Sequence, residues 1–246
     1  MKLPELNVLV DKKLITEVGI VDYLNDNPDE LEKITLDDLV YTGKLTQPEV
    51  IDYIEENGIL PSPTMTESLL KELILQGGVI DLTNDIDLES QIEIRNEVIL
   101  NLNGYTLKTT KDNVDVVWVV GGGQLTINGD GVIDADSSYS VYVGGNGQLT
   151  INGGTYYSPV SSVYAQTNAK VIINDGTFKV EGEYGQIYTL NLRDKATDTA
   201  SIVVNGGRFY KYNPSQSESE NPIANFVADD CAVHLDGDWY IVNQAK

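Results

Sequence analysis

The sequence predicts an all-β fold: a right-handed parallel β-helix of about seven coils, preceded by a small helical N-terminal module and a capping helix. Two observations predict it. A short motif of alternating aliphatic residues, followed by Asn or Asp and then Gly or Asp, returns six times between residues 100 and 237. The 246-residue chain is also 41% hydrophobic and carries 22 glycines, which favours a folded core with many tight bends.

The spacing of the repeat predicts the architecture. Its Asn or Asp stands at 103, 128, 152, 174, 205 and 236, with separations of 25, 24, 22, 31 and 31 residues. A period in the low twenties is typical of one coil of a three-stranded β-helix, and the longer separations indicate loops inserted into a coil. Antiparallel Asn-Gly hairpins are the alternative, but such a meander returns every ~8–12 residues. The motifs are Leu100–Gly104, Leu125–Gly129, Leu149–Gly153, Val171–Asp175, Ile202–Gly206 and Val233–Gly237.

Each coil is expected to combine three strands. Side chains alternate in direction along a strand, so Leu125 and Ile127 are expected to point into the tube and Thr126 outward. Asn-Gly is expected to turn the corner, because both residues tolerate positive φ. The first coil is predicted at 79–82 and 84–94. The other upstream strands are 116–120, 139–143, 162–165, 187–192 and 223–227, and the downstream strands are 105–107, 132–133, 156–157, 177–180, 209–210 and 239–242.

Residues before the repeats carry helix signals. Thr46-Gln47-Pro48-Glu49 has the spacing of a capping box and opens a predicted helix that ends at Asn57-Gly58. Residues 16–25 and 35–41 are predicted as further short helices. We therefore expect a helical module over residues 1–60, a linker and capping helix over 61–76, and the β-helix over 77–246.

The capping helix is predicted over residues 66–76, ending at Gly77-Gly78. Leu69, Leu70, Leu73 and Ile74 lie on one side of it. An uncovered first coil would expose unpaired strand edges and invite aggregation, so a helix directly before it is expected to close that end.

Charge and composition exclude several classes of partner. The formal net charge is −22, which repels the phosphates of nucleic acids and anionic membrane surfaces. No apolar run approaches the length of a membrane span, and Met1 to Val10 show no signal-peptide pattern. Cys231 is the single cysteine, which indicates a small apolar residue in a reducing compartment.

The repeats contain few candidates for catalysis. Paired carboxylates could act as acid and nucleophile on a glycan, but every pair found also fits turn or strand-end chemistry. His234, the only histidine, falls on an outward position, which does not support zinc or a catalytic triad. The sequence predicts no metal, no cofactor and no catalytic residue. The carboxylate pairs are Asp134 with Asp136, Asp229 with Asp230, and Asp236 with Asp238.

Tyrosine is the most informative residue type: the chain has 14 tyrosines and only 3 phenylalanines. Tyrosine on a strand surface offers flat apolar area with a polar group, which suits a protein interface or the stacking of a sugar, and we favour the interface. The candidates for this surface are Tyr139, Tyr142, Tyr156, Tyr157, Tyr164, Tyr188, Tyr210 and Tyr212.

A recognisable layout leads into Ile99-Leu100-Asn101-Leu102-Asn103-Gly104-Tyr105-Thr106-Leu107, after an acidic N-terminal module and a capping helix. It resembles the head fibres and related virion decoration proteins of tailed bacteriophages. The resemblance covers residues 60–246 as a fold. It implies a structural protein that is anchored to the capsid by residues 1–60 and projects its β-helix as a homotrimer, with host-surface or mucus glycans as further partners. Localisation would be the virion, after assembly in the host cytoplasm.

Two other functions stay open on sequence grounds. A carbohydrate-active enzyme of the tailspike type, either a polysaccharide lyase or a glycoside hydrolase, would use Asp134 and Asp136 or Asp229 and Asp230 in a groove. A bacterial surface adhesin is the other, and the lack of a visible signal peptide or sorting tail weighs against it.

Overall fold

The computed structural model describes residues 64–182, 188–193, 199–217, 219–220 and 225–245. By their contacts, residues 65–246 form one unit, separate from residues 1–64. The described residues of this unit contain one helix and seventeen strands. The helix is α1 (Glu67–Gln76), and the strands are β1 (Gly78–Asp81), β2 (Ile86–Leu88), β3 (Ile92–Ile94), β4 (Glu97–Asn101), β5 (Thr106–Thr109), β6 (Val117–Val119), β7 (Gln124–Asn128), β8 (Val132–Ala135), β9 (Tyr139–Val143), β10 (Gln148–Ser158), β11 (Ser161–Ala165), β12 (Lys170–Val180), β13 (Leu190–Leu192), β14 (Ser201–Val204), β15 (Gly207–Tyr210), β16 (Cys231–Asp236) and β17 (Trp239–Gln244).

The strands form the three sides of a parallel β-helix, as the sequence predicts. The first side joins β1, β4, β7, the first half of β10, the first half of β12 and β14. The second joins β2, β5, β8, the second halves of β10 and β12, and β15. The third joins β3, β6, β9, β11 and β13. Every pairing within these sides is parallel, which confirms the coiled architecture.

The solenoid has about five turns, so the predicted seven coils are too many. The complete turns begin at β1, β4, β7, β10 and β12, and β14 with β15 begins a sixth. At about 4.8 Å per coil, five turns give a rod of roughly 25 Å. The last repeat of the sequence does not form a coil, which accounts for most of the difference.

The inward rows of the coils form one hydrophobic core. Leu125 and Ile127 point inward with 2% and 0% exposure, as the alternation predicts. Within the core, the rings of Tyr156, Phe178 and Phe209 stack on successive coils of the second side, with centroids 4.9 Å apart at each step and planes 8° apart. Their even spacing follows from the parallel register, which pairs Tyr156 with Phe178 and Phe178 with Phe209.

Asparagines line the end of the first side as a ladder of side-chain amides. Asn128 donates to Asn101, Asn152 to Asn128, Asn174 to Asn152, and Asn205 to Asn174, over 2.8–3.0 Å. In the first of these repeats the ladder residue is Asn101 rather than the predicted Asn103, because Leu100 pairs with Ile127. That repeat is therefore displaced by two residues, and its separation from the next is 27 residues.

The corner itself bends at glycine rather than at the ladder asparagines. The prediction that Asn-Gly turns the corner holds at Asn103 (φ 52°) and Gly104 (φ 84°) but not at the ladder asparagines, none of which has a positive φ. The chain turns just beyond the ladder asparagines, where the backbone has positive φ. A residue with a Cβ would be strained in this conformation, and a row of glycines occupies these positions. The row consists of Gly131 (φ 143°), Gly154 (φ 86°), Gly176 (φ 133°) and Gly207 (φ 113°).

Helix α1 closes the first coil, as predicted. The Thr66 hydroxyl accepts a hydrogen bond from the backbone N–H of Leu69 over 3.2 Å and so caps the N-terminus. Leu70 and Ile74 are buried in the core. At the other end of the helix, Asn96 donates to the carbonyl groups of Ile74 and Leu75 over 2.9 and 3.1 Å.

The C-terminal repeat is an antiparallel hairpin and not a coil, so the prediction for Val233–Gly237 is wrong. Strand β16 pairs antiparallel with β17, which pairs antiparallel with β15. Gly237 (φ 59°) makes the turn between them, which is the hairpin chemistry that an Asp-Gly pair also allows. Leu235, expected to point inward, is 61% exposed, whereas Val242 is fully buried. The hairpin thereby covers the last coil.

Other predicted elements differ in detail. Residues 84–94 form two strands, β2 and β3, on different sides. Of the predicted strand 223–227, Val227 makes a single parallel bridge to Val204 on the first side. The predicted helices at 16–25, 35–41 and from Thr46 lie outside the described residues. Among the described helical residues, none belongs to a helix long and apolar enough to cross a bilayer.

Candidate ligand-binding surfaces

The outward face of the third side carries a column of aromatic rings. Parallel register aligns Trp118 of β6 with Tyr142 of β9, and Tyr142 with Tyr164 of β11. The ring centroids are 5.2 Å apart for Trp118 and Tyr142 and 5.9 Å apart for Tyr142 and Tyr164. Tyr139 adds a ring that stacks on Tyr164 at 4.8 Å with planes 9° apart. The structure thus brings three of the predicted tyrosines together.

A buried carboxylate holds one end of this column. Asp115 is 8% exposed and accepts hydrogen bonds from the Trp118 indole Nε1–H over 2.5 Å, from the backbone N–H of Tyr139 over 3.0 Å, and from the Ser138 hydroxyl. These bonds fix the edge of the tryptophan and the start of β9. Asp115 therefore has a structural role that compensates for its burial.

Polar side chains of the following coils surround the other end of the aromatic column. The Gln166 amide donates to the Tyr142 hydroxyl and accepts from the Arg193 guanidinium. Glu220 accepts from the Asn191 amide over 3.2 Å, and its backbone N–H donates to Asn191 over 3.1 Å. Burial, followed by the charge of Glu220, raises the pKa of the Tyr164 hydroxyl. The loop after β15 thus lies beside the third side.

This aromatic column offers ring edges rather than ring faces. Tyr164 is only 9% exposed and has a tyrosine ring against it on two sides, Tyr142 and Tyr139. A sugar stacks on the face of an aromatic ring, and stacked neighbours occupy those faces. The column is therefore suited to packing coils together and to contacting a protein through its hydroxyl groups.

A pocket of about 230 Å³ lies on the outward face of the second side. Tyr157 lines it and is 39% exposed. In the register of the sheet, Tyr157 lies between Asp134 on one neighbouring coil and Lys179 on the other. The lining residues are Asp134, Ala135, Asp136, Tyr157, Ser158, Pro159, Lys179 and Glu181.

The pocket is acidic. Partial burial, followed by the charge of Asp136, raises the pKa of the Asp134 carboxyl, while Lys108 acts in the opposite direction. Lys179 pairs with Glu181 over 2.6 Å. Three carboxylates therefore share the pocket with one ammonium group. Such a site favours ligands that donate hydrogen bonds and disfavours anions.

A cluster of cations and aromatic rings lies farther along the second side. Lys179 and Lys211 lie 5.0 and 4.9 Å from the centroid of the Tyr210 ring, and Arg208 lies 5.0 Å from that of Trp239. The two rings contact each other with centroids 5.2 Å apart. Cation–π contacts of this kind cover the faces of both rings. Tyr210 is therefore already engaged within the protein.

The remaining predicted tyrosines are less suited to binding. Tyr156 is fully buried in the core, where its hydroxyl donates to the Gly153 carbonyl over 3.1 Å, so its predicted place on a binding surface is wrong. Tyr212 is half-buried, packs against Phe209 and donates to the Leu190 carbonyl over 2.9 Å. Tyr188 is half-buried. Trp118 was not among the predicted residues, although its outward position follows from its place between Val117 and Val119.

The other candidates are scattered. Asp229 and Asp230 are exposed in a turn before β16, and Asp236 and Asp238 are exposed at the hairpin turn. His234 is exposed on β16. Cys231 is half-buried and donates to the Asn205 carbonyl over 3.2 Å, and burial, followed by Asp230, raises the pKa of its thiol. In the described part of the chain, no three His, Cys, Asp or Glu residues are grouped to hold a metal ion.

No family model, curated protein or solved structure matches this chain. The fold and its outward surfaces define the class: a parallel β-solenoid capped by a helix at one end and a hairpin at the other. Its functional interpretation rests on the chemistry of these surfaces.

Proposed function

We propose that this chain is a structural fibre protein of a bacteriophage virion. In this proposal, residues 1–60 attach to a capsid protein, the solenoid projects outward as part of a homotrimer, and its outward surfaces contact host-surface or mucus glycans. The solenoid winds to the right, as crossovers between parallel strands almost always do.

The observation that carries the proposal is the closure of the solenoid at both ends. Helix α1 buries Leu70 and Ile74 against the first coil, and β17 buries Val242 against the last. These elements cover the apolar core at both ends of the rod and leave its sides as the main contact surfaces. Those sides carry aromatic and polar rows in regular register, which suits repeated contacts along a fibre.

Electron microscopy of purified particles tests this role. Antibodies raised against residues 65–246 and coupled to gold would be applied to virions from cultures that produce the chain. The proposal expects gold on particle heads, and antibodies adsorbed with the recombinant protein should give none. Particles without label, with the chain recovered only in the particle-free fraction, would contradict it.

A carbohydrate-active enzyme is the second candidate, and the pocket at Tyr157 favours it. Asp134 and Asp136 are two residues apart at the end of β8 and line the same pocket. A raised pKa on one of two neighbouring carboxyls is the pattern of a general acid beside a base. Release of reducing ends from capsular polysaccharide, lost in both Asp134→Asn and Asp136→Asn, would establish this function. Full activity in both variants would exclude this pair.

A further inference from the structure

Tyr157 differs from Tyr139, Tyr142, Tyr164 and Tyr210 of the outward surface. It is 39% exposed, and no aromatic ring or cation is found stacked on it within the described residues. The rings of Tyr142 and Tyr164 are stacked, and the ring of Tyr210 lies under two lysines. Tyr157 therefore has no ring or cation of the described chain packed on its faces, and it lines a pocket of about 230 Å³.

The groups around this ring are arranged by the coils. Asp134 lies one coil before Tyr157 and Lys179 one coil after it, each in direct register. Neighbouring coils are about 4.8 Å apart, so both side chains are within reach of a ring-sized ligand resting on Tyr157. One side supplies acceptors and the other an ammonium donor.

The chemistry of the pocket selects the ligand. A hexose has an apolar face that packs on an aromatic ring and a rim of hydroxyl groups that donate and accept hydrogen bonds. Hydroxyl groups that donate to Asp134 and Asp136 form charge-assisted bonds and would offset the partial burial of Asp134. A uronic or sialic acid would instead bring a fourth carboxylate beside Asp134, Asp136 and Glu181.

We propose that this pocket binds one uncharged hexose or N-acetylhexosamine unit of a glycan, with Tyr157 as the stacking platform, Asp134 and Asp136 as acceptors and Lys179 as a donor. This inference rests on the glycan contact in the proposed function and assigns it to one site. The aromatic column of the third side is left for contacts with protein.

Saturation-transfer NMR and calorimetry on the full-length chain test the site. The probes are a panel of neutral hexose and N-acetylhexosamine oligosaccharides, with oligogalacturonate as the anionic arm. Binding of at least one neutral probe and none of oligogalacturonate is expected. Tyr157→Ala should weaken that binding roughly tenfold or more, since it removes the platform, and Tyr157→Phe should stay within about threefold of wild type, since the ring remains. Asp134→Asn should weaken it several-fold.

Tyr142→Ala is the matched control, because it removes a tyrosine whose ring contacts Trp118 and Tyr164 on the third side and does not line this pocket. It should leave binding unchanged. Binding that survives Tyr157→Ala would overturn the site while the glycan role stands. A chain that binds no neutral probe overturns both the site and the glycan part of the proposed function, and gold labelling of virions then decides the fibre role separately. Tighter binding of oligogalacturonate than of the neutral probes would also overturn the proposal.

Discussion

The side-chain amide of Asn174 donates a hydrogen bond to the side-chain oxygen of Asn152, one coil earlier, over 2.8 Å. The two residues are 22 positions apart in the sequence and neighbours in space, because a complete coil separates them. Asn152 in turn donates to Asn128 over 2.8 Å. An amide that both donates and accepts along the axis links each coil to the next.

Removing Asn152 should therefore break two bonds of the ladder. We expect Asn152→Ala to lower the free energy of unfolding by about 1 kcal/mol, since each of these two exposed amide bonds contributes ~0.5 kcal/mol, the low end of the usual range. Asn205→Ala, which removes one donated ladder bond, is the control and should cost about half as much. Urea unfolding followed by circular dichroism measures both. Equal stability of wild type and Asn152→Ala would show that the ladder does not stabilise the coils.

The glycine row at the corner gives a second prediction. Gly131 has φ 143°, and a Cβ there would lie 2.6 Å from the Tyr105 carbonyl oxygen and 2.5 Å from the Leu102 Cβ. Gly131→Ala should lower the unfolding free energy by roughly 2–4 kcal/mol, because backbone strain and a backbone clash add. Gly104→Ala is the matched control: its φ is 84°, but a Cβ would meet open space, so about 1 kcal/mol is expected. Thermal unfolding compares the stabilities of the two variants. An equal loss of stability in both would contradict the clash predicted for a Cβ at residue 131.

Asp115 should be among the costliest carboxylates to remove. It accepts bonds from Trp118, Ser138 and Tyr139, and Asp115→Ala leaves these donors without their shared acceptor. A loss of about 3 kcal/mol is expected, together with a shift in the tryptophan fluorescence, because the indole N–H changes its partner. Asp112→Ala, at an exposed position nearby, should change little. If the two variants unfold alike, the anchoring role of Asp115 is wrong.

Alkaline pH should destabilise the solenoid through Tyr156. Burial raises the pKa of this phenol well above its usual value. The unfolded chain releases the phenol proton near pH 10, whereas the folded chain keeps it. The stabilising contribution of Tyr156 to the free energy of unfolding is therefore complete below about pH 10 and is lost as the pH rises beyond it. Above that pH, ionisation of Tyr156 in the unfolded chain should lower the free energy of unfolding by about 1.4 kcal/mol per pH unit. Urea unfolding between pH 8 and 11 measures it.

Tyr156→Phe is the control for this prediction. It keeps the stack on Phe178 and removes the titrating group, so its stability should fall less steeply above pH 10 than that of the wild type. Parallel pH profiles for the two proteins would contradict the role of Tyr156 in the alkaline loss.

The sequence predicts those features of the coils that depend on local patterns, namely side-chain alternation and the period of the repeat. The alternation of Leu125, Thr126 and Ile127 predicts which side chains enter the core, and the period of the repeat predicts that strands 22 and 24 residues apart are neighbours. The capping helix is also predicted, because Thr66 and Gly77 mark its ends.

Register and context decide what the sequence leaves open. Leu100-Asn101-Leu102-Asn103 fits the motif in two ways, and only the pairing of Leu100 with Ile127 makes Asn101 the ladder residue. Val233–Gly237 has the motif of a coil, yet its chain reverses at Gly237, since an Asp-Gly pair serves a hairpin equally well.

The surfaces are harder still to predict. Tyr156 and Tyr157 are adjacent in the sequence, but one is in the core and the other lines a pocket. Tyrosine count alone does not distinguish them, whereas their alternation along β10 does once its inward face is known. The cations that cover Tyr210 come from other strands and have no local signal.

Spin labels test the stacking of coils most directly. Thr126 and Thr150 are partners in parallel register, and Thr150 pairs with Ile172 on the next coil. In a Cys231→Ser background, nitroxides at 126 and 150 would be attached about 4.8 Å apart and those at 126 and 172 about twice as far. We expect strong dipolar broadening of the electron paramagnetic resonance spectrum for the first pair and clearly weaker broadening for the second. A first pair without broadening would mean that these strands are not neighbours, and the solenoid and every surface built on it would be contradicted.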